Sequence, residues 1–597
     1  MRQGAGREGA GREGTGAGTG GGTGATGADG RDHQDGAVAR HYDAIVVGSG
    51  LGGLVSAGYL AADGRRVLVL EQHDIAGGNA HVFRRRRKYE FDVGTHYVGD
   101  CGEGGLFPSL LAGLGVRDRV TFRPMDNEHG FDRIITPTAT LDVPADWAAY
   151  RERLHQALPE EAERVDRFLD LARAVAGATR DGLHGTSMVE LFRRSPHTMR
   201  WTRRTLGQAL DHCELSPRAR TLVAAQAGNY GTMPDGITLA EHAAMLDHYL
   251  RGAYYPEGGG QVLVAALVEA LESYGGELRT RREVRRILIE HGRATGVELT
   301  DGTRISAPLV ISNADYRRTV LDLCGGEPAF PPEVVARTRA ATMRGAVVSV
   351  YVALDTEVPG LPNANIWWHD SDDMEAAHAA VRERWERDGT FDSVPQLTFS
   401  FASLKDPGAT AVCPPGHSNF QLMTGCPPGY GFWGVPAGPV AGEPYRRNPA
   451  YLDRKRRITE LMLTTAEKVI GPFRDRVTHL ETATPLSHER YIRGTGGTPY
   501  GMADWGGVGQ RPDVRTEVEG LYVVGQSVRY GSGLGAVATS GMAAAGQILG
   551  RPLLPEVLGG TVLGDPSRLP ERGPDWDPLV ASRGRARHHA KGLARIG

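Results

Sequence analysis

Glycines at positions 48, 50 and 53 follow the apolar run Ala44-Ile45-Val46-Val47 and open a stretch able to form a helix. That spacing suits a dinucleotide. Gly48, Ser49, Gly50, Leu51, Gly52 and Gly53 would leave no bulky side chain between backbone and pyrophosphate, and the helix start would direct free N–H groups at the anion. A second apolar run, Val67-Leu68-Val69-Leu70, ends in Glu71, 18 residues past Gly53. A carboxylate there accepts from a ribose hydroxyl, whereas a site for a 2′-phosphate would carry an arginine. FAD or NAD is therefore the favoured cofactor. The same glycine spacing recurs at Gly4/Gly6/Gly9, Gly9/Gly11/Gly14 and Gly429/Gly431/Gly434. The first two lie in repetitive sequence without a strand, and Pro427, Pro428 and Pro436 flank the third, so none can open a helix in register.

The elements that must hold this turn lie far apart in the chain. Around Gly252 the pattern returns to strand–helix alternation: a helix through Leu263, Leu267 and Leu271, a strand from Glu283 to Ile287, a hairpin turn at Asp301-Gly302 and a strand from Val310. A last strand, Gly520 to Gly525, leads into a glycine-rich helix beginning near Gly533. Between these, 154–205 reads mainly helical, and alternating stretches such as Val347 to Val352 suit an antiparallel sheet. The expected fold class is α/β, a Rossmann-type dinucleotide-binding domain of the glutathione-reductase kind with an inserted α+β substrate domain. The cofactor domain would comprise 41–118, 253–320 and 515–562, with 119–252 and 321–514 as the substrate or cap domain. Residues 1–40, rich in Gly, Ala, Thr and Arg, and the basic stretch 563–597 read as disordered tails.

Composition excludes several classes. The 68 basic and 71 acidic residues give a net charge of −3, which argues against a nucleic-acid binder. Five scattered cysteines without a C-x-x-C pair suit a reducing compartment, so cytoplasmic location is expected. No metal-ligand spacing stands out among the 20 histidines. The uncharged run from Tyr530 to Leu549 is too polar and glycine-rich to face lipid, and suits close helix packing. The segment Leu191 to Arg204 interleaves five arginines with Phe192, Met199 and Trp201. It is read either as a surface helix packing its apolar side inward or as a docking face at the inner surface of a membrane.

Three further motifs complete the picture: Phe91-Asp92-Val93-Gly94-Thr95-His96-Tyr97-Val98-Gly99, Tyr255-Pro256-Glu257-Gly258-Gly259-Gly260, and Ser403-Leu404-Lys405-Asp406-Pro407. Together with the Gly48 turn and the Gly525 to Gly541 segment, in this order, they resemble the FAD-dependent phytoene desaturase, carotenoid isomerase and retinol saturase superfamily, and most its retinol saturase-like branch. The resemblance spans about Tyr42 to Leu549. It implies that Gly48 to Gly53 hold the pyrophosphate of FAD, Glu71 and Gln72 the adenosine end, Gly77, Gly78 and Asn79 the next turn, and the backbone at Val284 the adenine. Gly94 and Thr95, with Leu534, Gly535 and Ala536, would flank the isoalloxazine. Gly525 and Gln526 would close the ribityl side, where related flavoproteins often carry an acid instead of Gln526.

The implied activity is saturation, desaturation or isomerisation of a carbon–carbon bond in a lipophilic polyene, isoprenoid or acyl substrate. Hydride transfer to or from a flavin at near-attack distance would do this work in an apolar tunnel. His96 is the candidate for moving a proton, and a hydrogen-bonded histidine with no proton role fits the same position. Lys405, one of five lysines, precedes Asp406-Pro407, for which a turn is a sufficient reading. Two rival readings share the fold: a flavin amine oxidase, to whose aromatic cage Tyr530 or Trp505 would contribute, and a flavin-holding interaction protein without turnover. The electron donor or acceptor is left open.

Overall fold

The structure, a computed structural model, describes residues 41–125 and 128–585. The tail expected at 1–40 and the end of the one expected at 563–597 lie outside the described residues. Five strands from distant parts of the chain form one sheet: β1 (Ala44–Val47), β2 (Val67–Glu71), β3 (Glu277–Thr280), β4 (Leu309–Ser312) and β5 (Leu521–Val523). Their order is β3-β2-β1-β4-β5, and every neighbouring pair is parallel. Each residue of β1 and β2 is buried, as expected where both faces of a parallel sheet are covered. The in-register pairs Val47↔Leu70 and Val47↔Ser312 level the carboxyl ends of the three central strands. Successive strands are added on one side of β1 up to β3 and on the other from β4, so the strand order switches between β1 and β4, where an open α/β sheet leaves a crevice for ligand.

Helices α1 (Leu51–Ala62), α2 (Gln261–Ser273) and α3 (Leu534–Leu549) follow three of the segments that the sequence assigns to this unit. The uncharged run from Tyr530 is indeed a packed helix: a side chain at Gly541 would collide with the Gly52 carbonyl of α1 and lie 3.1 Å from Val55 Cβ. Among the described residues no helix is long and apolar enough to cross a membrane.

A second, seven-stranded sheet runs in the order 477–483, 346–354, 418–426, 396–400, 365–369, 132–135 and 140–143. It is antiparallel except where Asn365–His369 lies parallel to Asp132–Ile135. The expected alternating strand is Ala346–Leu354, and it is buried at nearly every position, so both faces are covered. Helices Trp147–Ala157, Ala162–Leu183 and Leu239–Leu250 share a core with one end of this sheet.

The C-terminal segment departs from expectation. Residues 563–585 pack on the protein. The Ala76 N–H donates to Ser582 O at 2.9 Å, Leu579 is buried, and Asp577 caps the short helix Pro578–Ala581. Arg572 bonds Glu269 at 2.9 Å and Arg119 O at 2.8 Å while lying over the Trp576 ring. Arginines that read as solvated charge are here held by acceptors on distant elements. The basic run near Arg84 is a hairpin between Val82–Arg85 and Tyr89–Asp92, with Arg84 on Glu90 and Asp577, Arg85 on Glu481, and only 86–88 facing water.

Candidate functional site

At the end of β1 the chain turns through Gly48, whose φ of +91° is costly for any residue with a side chain. Helix α1 then begins at Gly50 with no side-chain cap and no acid in its first turn. With no cap from Gly50 and no negative charge in the first turn, the helix start fits a pyrophosphate. The opposite wall is Asn313, the first residue after β4. Its Oδ1 accepts from the Gly53 N–H at 3.1 Å and its Nδ2 donates to Val524 O at 3.3 Å, tying α1 to the loop after β5. Sequence reasoning missed Asn313. Its position at the carboxyl end of a buried strand was the available signal.

Glu71 is buried at the end of β2. Its Oε2 accepts from the Ser49 N–H at 2.9 Å and the Ser49 hydroxyl at 2.6 Å, and its Oε1 from the His73 N–H at 2.8 Å. The protein itself fixes the carboxylate, and a carboxylate retains acceptor capacity beyond three bonds. Gly77 bridges to Gly50 and donates to Ser49 O at 3.0 Å. Gly78 has φ +55°. Asn79 Nδ2 reaches Pro499 O at 3.5 Å, and Gln72 Oε1 accepts from Arg493 at 2.7 Å.

These groups open into one cavity of about 1850 Å³ that extends from the glycine turn to residues of both sheets and the helical layer. Gly48, Ser49, Gly50, Leu51, Gly52, Glu71, Gln72, Gly77, Gly78, Asn79, Gly94, His96, Val284, Gln526, Leu534, Gly535 and Ala536 all line it. Gly53, Thr95 and Gly525 stand behind the wall. A side chain at Gly53 would lie 2.6 Å from Gly48 O, Thr95 is fully buried against Gly260, and the Gly525 N–H donates to Ser540 Oγ at 2.9 Å. They shape the turn and the helix contacts. Beyond the glycines, Leu106, Met199, Met245, Trp367 and Met423 supply apolar lining.

His96 carries an unusual electrostatic load. Burial, with the Lys405 and His488 charges adding to it, lowers its pKa to about 3, and its Nδ1 is buried without a hydrogen-bond partner. It is a neutral imidazole at ordinary pH. Lys405 lies beneath it, and a turn does not suffice to describe it: the side chain is 1% exposed at the end of the short helix Ala402–Lys405. Its Nζ donates to His96 O (2.6 Å), Asn365 Oδ1 (2.6 Å) and Ser400 Oγ (2.7 Å). Burial lowers its pKa to about 7 against the opposing pull of Asp92 and Asp132. Asp132 accepts from Tyr97, Gln226 and Asn365, Asp92 accepts from Tyr255 and the Gly260 N–H, and burial raises both to about 6. Asp406 in turn accepts from the Gly258 N–H at 2.6 Å. The three separated motifs thus meet around one buried ammonium.

Of the two aromatic residues considered for a cage, Tyr530 lines the cavity. Trp505 does not: its Nε1 donates to Thr338 at 3.3 Å and its ring packs on Tyr316. Leu191 to Arg204 is two short helices, Met188–Arg194 and Pro196–Trp201, broken at Ser195-Pro196. Leu191 and Met199 turn inward, while Phe192 and the five arginines are exposed.

The model of the family described as flavin containing amine oxidoreductase matches residues 51–549. The chain belongs to that family. An all-trans-retinol 13,14-reductase from Macaca fascicularis is 26% identical, the match covering 82% of this chain and 83% of that one. A chloroplastic prolycopene isomerase from Arabidopsis thaliana is also 26% identical, over 85% of this chain and 82% of its own. Among solved structures, an oxidoreductase from Methanosarcina mazei superposes with a TM-score of 0.57 at 19% identity, covering 84% of this chain and 99% of its own. A cyclohexylamine oxidase from Brevibacterium oxydans does so at 0.54 and 17%, covering 86% and 100%. The α/β fold with a parallel dinucleotide-type sheet is that of these flavoenzymes, and the chain is a flavin-family oxidoreductase.

Proposed function

We propose that the chain binds FAD at the β1–α1 turn and saturates, desaturates or isomerises a carbon–carbon bond of a lipophilic polyene, isoprenoid or acyl substrate. The observation that carries this is the single cavity of about 1850 Å³ joining the glycine turn to an apolar chamber. Ligand pockets ordinarily run to about 300–1,000 Å³. A volume beyond that accommodates a dinucleotide and a second elongated molecule together. The relatives named for retinol and prolycopene support the same substrate class.

The residues divide the work. The uncapped start of α1 takes the pyrophosphate, Glu71 the adenosine ribose, and the backbone at Val284 the adenine. When bound, FAD supplies a two-electron donor or acceptor for hydride exchange with carbon. The first N–H groups of α3 at Leu534, Gly535 and Ala536 can face developing negative charge. His96, neutral across the working range and with its Nδ1 left without a partner among the described residues, does not act as an imidazolium acid. Met245, Trp367 and Met423 keep water from the reacting carbons. An amine oxidase would place an aromatic cage at the flavin; of the two residues considered for it, Tyr530 lines the cavity and Trp505 is engaged elsewhere.

The purified protein is expected to be yellow, with flavin released on acid precipitation. Anaerobic incubation with a polyene panel should change the flavin spectrum and yield a product differing by two hydrogens or in geometry, read by mass spectrometry. A stable yellow protein that neither bleaches nor converts any polyene would favour the binding protein without turnover.

Substrate entry is proposed at 188–204. Met188, Leu191, Met199, Thr202 and Arg203 line the cavity, and Met188, Val189 and Phe192 expose 53%, 71% and 42% of their surface beside the arginines. Peripheral contact with the anionic inner face of a membrane suits this mixture. At about 1 kcal/mol per arginine, changing Arg200, Arg203 and Arg204 to glutamine should weaken binding to anionic vesicles roughly a hundredfold at low salt, with flavin content intact. Equal sedimentation of wild type and variant with such vesicles would make the segment an ordinary surface.

A further inference from the structure

The cavity wall holds a cluster that flavin binding does not use. Glu241 lies in the first turn of helix Leu239–Leu250, Arg344 just before strand Ala346–Leu354, and Arg511 in the loop that precedes β5. All three line the cavity. The Arg344 and Arg511 side chains are each 1% exposed, and both donate to the same atom, Glu241 Oε1, at 2.9 and 2.7 Å. Their other bonds go to neutral acceptors: Arg344 to Tyr230 O (3.2 Å) and Ser532 Oγ (3.4 Å), Arg511 to Met502 O (3.0 Å). Arg344 Nε and Arg511 Nη2 are buried and have no acceptor among the described residues.

Two guanidinium ions on one carboxylate leave one positive charge in excess. A buried charge without a partner is costly, and a guanidinium cannot relieve the cost by losing its proton. A group of one negative charge, able to take two parallel N–H bonds, would neutralise the cluster; a carboxylate has that charge and geometry. A phosphate monoester, at about −1.5 to −2, would overshoot it.

Resting on the lipophilic-substrate reading above, we infer that Arg344 and Arg511 grip the carboxylate end of the substrate, so that the molecule this cavity takes is a polyene or acyl acid and not a neutral alcohol or hydrocarbon. Ser532, bonded to Arg344, stands two residues before the start of α3. The acid end is thereby anchored beside the helix start, with the apolar chain free to run toward Met423 and Trp367.

The test titrates flavin-loaded protein with all-trans-retinoic acid, its methyl ester and all-trans-retinol, following the flavin spectrum and tryptophan fluorescence. Wild type should prefer the acid to the ester by roughly ten- to a hundredfold, the worth of charge-assisted hydrogen bonds. Arg511→Gln removes the excess charge and keeps the Arg344–Glu241 pair. It should lose the preference for the acid while retaining ester affinity, flavin content and melting temperature. Equal affinity of wild type for acid and ester overturns the inference and leaves the lipophilic reading standing, whether or not the variant folds. So does an Arg511→Gln protein whose acid-to-ester ratio is unchanged while its flavin potential moves, because the charge then serves the flavin. Failure of all three probes to bind overturns both.

Discussion

A Gly50→Val protein is expected to fold and to purify almost without flavin, whereas Gly53→Ala is expected to lose the fold. The two glycines differ in what a side chain would meet. At Gly50 a Cβ would lie 2.6 Å from Asn313 Oδ1, the end of a side chain that can move aside. Displacing it costs the bonds to the Gly53 N–H and Val524 O, about 0.5–1.5 kcal/mol each, and sets a branched side chain at the uncapped helix start. At Gly53 a Cβ would lie 2.6 Å from Gly48 O, and that backbone cannot withdraw without opening the turn. Circular-dichroism melts report the fold, and the ratio of flavin to protein absorbance reports the cofactor. Stoichiometric flavin in folded Gly50→Val would remove the pyrophosphate from this turn.

What could be read from the chain alone follows the range of the interactions that decide it. β1, the Gly48 turn, α1 and β2 are specified within 30 residues by an apolar run, glycines and a terminal carboxylate, so they were legible. Helix α3 was legible because its glycines announce close packing. The order of the second sheet was not, since Asn365 pairs with Asp132 across 233 residues and no local signal fixes that partner. The C-terminal segment reads as solvated by composition. Its anchor is Glu269, 303 residues from Arg572. Asp406-Pro407 carries a true turn signal, but Lys405 is governed by Asn365 and the His96 carbonyl, 40 and 309 residues away. The glycine motif is a local signal, whereas Asn313, Glu241, Arg344 and Arg511 come together only through the topology.

Lys405 yields the other large expected effect, a stability that grows in alkali and that Lys405→Met abolishes. An unfolded lysine holds its proton to about pH 10.4, whereas burial brings folded Lys405 to about 7. Between those values the unfolded chain binds one more proton than the folded one, so the free energy of unfolding rises by about 1.4 kcal/mol per pH unit. Below pH 7 both states carry the charge and the contribution is flat. Asp92 and Asp132, raised to about 6, titrate below this window in the wild type. In the variant Asp92, no longer held down by the Lys405 charge, rises further and widens the gap in the same direction. At pH 7 the methionine variant should already be weaker, because His96 O, Asn365 Oδ1 and Ser400 Oγ lose their donor. The gap between wild type and variant should then widen by about 4 kcal/mol up to pH 10. Urea midpoints of both proteins at unit pH steps measure it. A gap that stays constant from pH 7 to 10 would mean that the two buried aspartates hold the ammonium charged, and that the three motifs converge on a permanent ion cluster in place of a titratable one.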